Sequence, residues 1–124
     1  MVICMHKEYK RIVANAEKAI LFIHGIVGTP NHFKNLLPLI PDDLSVYNIL
    51  LDGHGKGVKD FSKTAMGKWE AQVAAAVEEL AKNHKEVYIV AHSLGCLLAI
   101  EQAISDCRIT KLFLRCHDSW EVFK

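Results

Sequence analysis

Residues 87–95 read VYIVAHSLG. Five apolar residues in a row, three of them β-branched and one aromatic, have the length and chemistry of a strand covered on both faces. Leu97, Leu98, Ile100 and Ile104 follow at helical spacing, so a helix begins almost at once. The four residues His92–Ser93–Leu94–Gly95 must then turn the chain from strand to helix. Working outward, Ala19–Ile23 (AILFI) is a second continuous apolar run, closed by His24–Gly25, and Ser45–Leu51 (SVYNILL) is a third. Ile109–Leu114 (ITKLFL) is the last, and Tyr9–Val13 is a short candidate strand near the N-terminus.

Between these runs lie helical patterns. Trp69, Val73, Ala76, Val77 and Leu80 step by three and four within Thr64–Asn83, giving one apolar stripe. Phe33, Leu36, Leu37 and Ile40 have the same period and stop at Pro41–Asp42–Asp43. Strands alternating with helices predict parallel βαβ units, hence an α/β fold. The reading is one domain over 1–124 with its core in 9–114, and Arg115–Lys124 as an unassigned polar tail. Right-handed crossovers put helices 64–83 and 95–105 on one sheet face and only helix 32–40 on the other. An apolar patch is therefore expected on the thinly covered face, a site for self-association.

Composition excludes several classes. Fifteen Lys and Arg against fourteen Asp and Glu leave a net charge of +1, so no basic excess exists to neutralise nucleic-acid phosphates or an anionic membrane. Seven Gly and three Pro in 124 residues exclude a collagen-like or low-complexity chain. No segment approaches the ~18 apolar residues of a membrane span. Met1–Cys4 is apolar, but charged residues follow directly, unlike a secretory leader, so a cytoplasmic location is expected. Cys4, Cys96, Cys107 and Cys116 have no C-x-x-C spacing and are expected to be reduced, buried thiols.

Ala91-x-Ser93-x-Gly95 differs by one residue from the G-x-S-x-G nucleophile elbow, where a serine on a strained strand-to-helix turn stands clear of the sheet. Small residues two before and two after the serine keep the turn from colliding with itself. The Leu94 N–H then lies at a helix N-terminus, where it can hold a developing oxyanion. The strand ending His24–Gly25–Ile26 supplies a second such N–H, that of Ile26, because Gly25 permits a tight turn. If strand 45–51 lies outside 19–23, with 86–91 on the other side, the sheet order reverses between the two loops. That is where open α/β sheets bind ligands.

With these residues the chain resembles the α/β-hydrolase superfamily, in particular its compact carboxylesterase and monoglyceride-lipase-like branches. The resemblance covers about 19–114: AILFIHG, IVGTPNHF, LLDGHG, the helix around Trp69 and VAHSLG. It implies a three-layer, parallel-sheet α/β-hydrolase fold and hydrolysis of an ester or related acyl compound without a cofactor. Ser93 matches the nucleophile, and Ile26 and Leu94 match the oxyanion donors; His24, Gly25 and His92 border the same mouth. The family order of serine, acid and histidine needs more chain than the 31 residues after Ser93. The expectation is a hydrolase fold truncated after the strand that follows the elbow helix. Asp118 and His117 are the candidate acid and base within the tail.

Each residue also has a plainer role. Ser93 can simply cap the following helix, and His24 and His92 can hold loop backbones. His54, flanked by glycines, is expected to be the more exposed histidine. No H-x-H or H-x-x-x-H pair suggests a metal, and Gly53-x-Gly55-x-Gly57 lacks the register of a dinucleotide loop. Cys96 and the Trp69 stripe read as core. A non-catalytic chain that binds an acyl ligand or a partner, or an acyltransferase using the same serine, would show the same motifs.

Overall fold

The computed structural model describes residues 7–116 and 119–124. Cys4 and the candidate acid and base, Asp118 and His117, lie outside the described residues. The strands are β1 (Tyr9–Arg11), β2 (Lys18–Ile23), β3 (Ser45–Asn48), β4 (Glu86–His92), β5 (Ile109–Arg115) and β6 (Glu121–Phe123). The helices are α1 (Val58–Phe61), α2 (Met66–Asn83) and α3 (Leu94–Ser105). All six strands form one sheet in the order β1-β3-β2-β4-β5-β6. The central four are parallel, as the βαβ pattern predicts, while β1 and β6 add antiparallel edges.

Alternation along the strands sorts the core. Ala19, Leu21 and Ile23 of β2 and Val87, Ile89 and Ala91 of β4 pack against the α2 stripe and against Leu98 and Ala99 of α3. On the opposite face Ile20, Phe22 and Val46 meet Phe33, whose ring lies 5.1 Å from that of Phe22. The C-terminus of α2 is tied to the sheet through buried His84, which bonds the Leu80 carbonyl (2.6 Å) and the Ser45 hydroxyl (2.8 Å).

Several local expectations are corrected. The segment 33–40 is not an α-helix but two 3₁₀ turns, Pro30–Phe33 and Leu37–Leu39. Pro38 has no N–H to donate, so a continuous α-helical ladder cannot run through it. Strand 45–51 ends at Asn48, where the chain turns to bury Ile49 and Leu51 beneath α2. The tail contains β6, which pairs Phe123 with Leu112 and Val122 with Phe113. Cys96 is buried as expected, but Cys107 and Cys116 are exposed.

The thin face is partly closed: Tyr88, Val90 and Phe113 are half-buried, and Lys18 and Lys111 extend over the Tyr88 ring. Exposed apolar side chains also gather on the other side, on α3 (Leu97, Ile100, Ile104) and at Phe123. Among the described residues, no helix is long and apolar enough to cross a membrane.

Candidate active site

The sheet order reverses between β2 and β4, so the loops leaving these strands flank a switch point. Ser93 occupies the one-residue junction between β4 and α3 at φ 53° and ψ −120°. This backbone conformation is costly for any residue with a Cβ, typically by ~1–3 kcal/mol, and persists only where the surroundings enforce it. Those surroundings are the Arg115 carbonyl, which accepts the Ser93 N–H (3.0 Å), and the Cys96 N–H, which donates to the Ser93 carbonyl (2.9 Å). Ser93 caps no helical N–H with its side chain and is exposed. The plain capping role is therefore not what this hydroxyl performs.

The loop after β2 lies directly against it. A Cβ placed on Gly25 would come within 3.0 Å of the Ser93 Cβ and 3.2 Å of the His92 ring, so a larger residue here would press the two loops apart. His24 holds the loop from below. It is fully buried; its Nε2 accepts the Leu51 N–H (3.0 Å), which leaves the proton on Nδ1 to be donated to the Gly25 carbonyl (2.8 Å). Burial pushes this imidazole down to about 4, with the neighbouring His54 and His32 acting in the same direction and the Gly25 bond opposing. His24 is thus a loop-holding residue whose ring does not reach the solvent side of the site.

The Gly25 carbonyl also accepts the Gly28 N–H (3.0 Å), closing a turn. In a trans peptide the following N–H points opposite to the carbonyl, so the Ile26 N–H is directed away from His24 and Gly28. It has no hydrogen-bond acceptor among the described residues. Val27, third in this turn, sits at φ 60°, the position that glycine takes in a type II turn. Two facing loops thus each carry a strained non-glycine residue. The Leu94 N–H opens α3 next to Ser93.

His92 is half-buried and stacks on His32 of the first 3₁₀ turn (4.1 Å, 29°). Burial lowers both rings; His92 and then Arg115 lower His32 further, and Arg115 lowers His92. The expectation that His54 is exposed is corrected. It is buried between His24 (4.9 Å), Phe61 (5.2 Å) and Trp69 (5.2 Å), and bonds the Asp52 carbonyl at 3.1 Å. Its Nε2 is buried without a partner among the described residues. His54, Phe61 and Val27 line a recess of about 200 Å³. Ser93 does not line this recess; the two are linked through the loop carrying Ile26 and Val27.

The sequence reading missed the strain at Val27, the His32–His92 stack and the burial of His54. Only the first had a local signal, a Gly25-x-x-Gly28 turn with valine where glycine fits best.

The Alpha/beta hydrolase family matches residues 20–117. No curated protein matches the chain by sequence. Among solved structures, one from work on LipS and LipT, two metagenome-derived lipolytic enzymes, superposes with a TM-score of 0.77 at 19% identity, covering 92% of this chain and 46% of that one. The thioesterase domain from the curacin biosynthetic pathway gives 0.67 at 23% identity, covering 87% and 45%. Epoxide hydrolase I of potato (Solanum tuberosum) gives 0.59 at 22% identity, covering 87% and 39%. The chain spans less than half the length of each, and at these identities the likeness is one of fold.

Proposed function

This chain belongs to the alpha/beta hydrolase family, and from that premise we propose that it is a serine hydrolase of carboxylic esters or related small acyl compounds. The observation that carries the reading is Ser93: exposed, held at positive φ on a strand-to-helix junction, and packed against Gly25 of the facing loop.

In this account Ser93 Oγ attacks the acyl carbon while its proton passes to a general base. The carbonyl oxygen becomes an oxyanion held by the Ile26 and Leu94 N–H groups. The carbon–oxygen bond to the alcohol breaks, the alcohol leaves with the proton, and water then releases the acid from the acyl-serine. This chemistry uses no metal or organic cofactor. The base is not drawn from His24 or His54, whose rings are buried. It comes from the tail pair His117 and Asp118 or from a segment that docks at the mouth. Removing the base from such a site typically leaves ~10³–10⁴-fold acceleration over water, from the oxyanion donors and binding.

The reading is tested by hydrolysis of short- and medium-chain p-nitrophenyl esters, comparing the chain with Ser93→Ala. Turnover lost in the variant supports it; equal rates would overturn it.

A second reading is carried by the exposed Leu97, Ile100, Ile104 and Phe123. Through this surface the chain binds a partner or a second copy, and does not itself catalyse. Concentration-dependent sedimentation together with no turnover would favour it over the first.

A further inference from the structure

The thin face of the sheet ends beside Ser93 in a cluster of nitrogen-bearing side chains. Across β4 and β5, Tyr88 is in register with Lys111 and His92 with Arg115. The Lys111 ammonium lies 5.2 Å from the centre of the Tyr88 ring, and the Phe113 ring lies 6.4 Å from it. Side chains alternate between faces along a strand, so Lys111, Phe113 and Arg115 share one face with Tyr88, Val90 and His92. His92 and Arg115 therefore stand side by side at the C-terminal end of that face. His32 stacks on His92 (4.1 Å), and the Arg115 guanidinium lies 5.8 Å from the Trp120 ring, within cation–π range.

The cluster adjoins the serine. A Cβ on Gly25 would lie 3.0 Å from Ser93 Cβ and 3.2 Å from His92 Nδ1, so serine and imidazole flank one point. Ser93 and His32 are exposed, and His92 and Arg115 are half-buried. Among the described residues neither imidazole has a hydrogen-bond partner. Glu121 of β6 pairs with Leu114, a core residue of the α3 side, so its carboxylate belongs to the opposite face. Burial first, with the Arg115 charge among the further causes, holds both imidazoles below their ordinary value. At neutral pH each ring then presents one N–H donor.

We propose that His32, His92 and Arg115 form an anion subsite that holds the carboxylate of an acyl substrate, the half-ester of a short dicarboxylic acid. The guanidinium supplies a fixed positive charge and a fork of donors, and the imidazoles add N–H groups beside it. A short chain spans from this cluster to the ester carbon at Ser93. The ester end of this inference rests on the hydrolase reading; the anion end does not, and the test reads the two apart.

The Ser93→Ala chain, which leaves the ester intact, is titrated with monomethyl glutarate and with methyl valerate, its uncharged counterpart, while NMR follows the rings of His32 and His92. The expected result is a saturable shift with the half-ester only. Its affinity should fall about tenfold in Arg115→Gln, fall also in His32→Phe, and hold in Lys111→Gln, with circular dichroism showing each variant folded. Equal responses to the two esters would overturn the proposal, as would an affinity that Arg115→Gln and His32→Phe both leave unchanged. Sodium acetate displacing the half-ester at equal concentration would overturn the substrate assignment, because the chain and its ester would then contribute nothing. With Ser93 in place, the half-ester should be hydrolysed faster than methyl valerate. Selective binding without turnover of either ester would support the subsite and count against the hydrolase reading. Equal turnover of both without selective binding would do the reverse.

Discussion

Gly95 of α3 and Ile23 of β2 meet backbone to backbone: a Cβ at position 95 would drive into the Ile23 carbonyl oxygen and lie 2.9 Å from that of His24. The small residue two positions after Ser93 is therefore demanded by the adjacent strand. Gly95→Ala must push α3 off β2 and is expected to cost about 2–4 kcal/mol. Gly67→Ala is the control, because a Cβ there meets nothing; in the first turn of α2 it should be neutral or stabilise by up to ~1 kcal/mol. Urea unfolding of the two variants measures the difference.

Acid should weaken the fold through His24. In the unfolded chain this group titrates near 6.5, and in the folded chain burial lowers it to about 4. Between these values the unfolded state binds more protons, so stability rises with pH across the window. It is fully present above about 6.5 and is lost as pH falls towards 4. The full loss is of order 3 kcal/mol. His32 and His92, both lowered, steepen the fall in the same direction. Urea midpoints from pH 7 to 4.5 check the trend. In NMR spectra of the folded protein the His24 ring should remain neutral at pH 5.5; titration near 6.5 would contradict the assignment.

The Leu51 N–H to His24 Nε2 bond spans the loops after β2 and β3 at full burial. His24→Phe fills the space but leaves that N–H, and one of the two bonds to the Gly25 carbonyl, unmade. A stability loss of ~2–4 kcal/mol is expected. Amide hydrogen exchange should show lost protection at Leu51.

Val27, at φ 60° and largely exposed, makes the opposite prediction. Val27→Gly relieves a strained β-branched backbone and loses little packing. It should leave stability unchanged or raise it by about 1 kcal/mol. A loss above ~1 kcal/mol would show that the valine side chain contributes packing that its exposure does not suggest.

The parallel centre of the sheet and its switch point were legible because β2 and β4 are covered on both faces and read as unbroken apolar runs. The Ser93 turn was legible because Ala91-x-Ser93-x-Gly95 follows an apolar strand run, precedes an apolar helix pattern and is matched by a second strand ending in His24–Gly25–Ile26. What escaped the sequence depended on contacts between distant segments. His54 is buried by Phe61 and Trp69, which lie seven and fifteen residues further on. β6 is a three-residue exposed edge without alternation to mark it, and it is recognised only through its pairing with β5. The apolar period of 33–40 imitated a helix because tight 3₁₀ turns around Phe33 and Leu37 place similar residues on the sheet.

The central claim is that Ser93 is an activated nucleophile. Its most direct test is incubation with a fluorophosphonate probe followed by intact mass, with Ser93→Ala as control and circular dichroism to show that both fold. The account predicts one adduct per chain, mapped to Ser93 and absent in the variant. A folded chain that takes no adduct, or takes it equally in Ser93→Ala, would contradict the claim and leave the family fold without the chemistry.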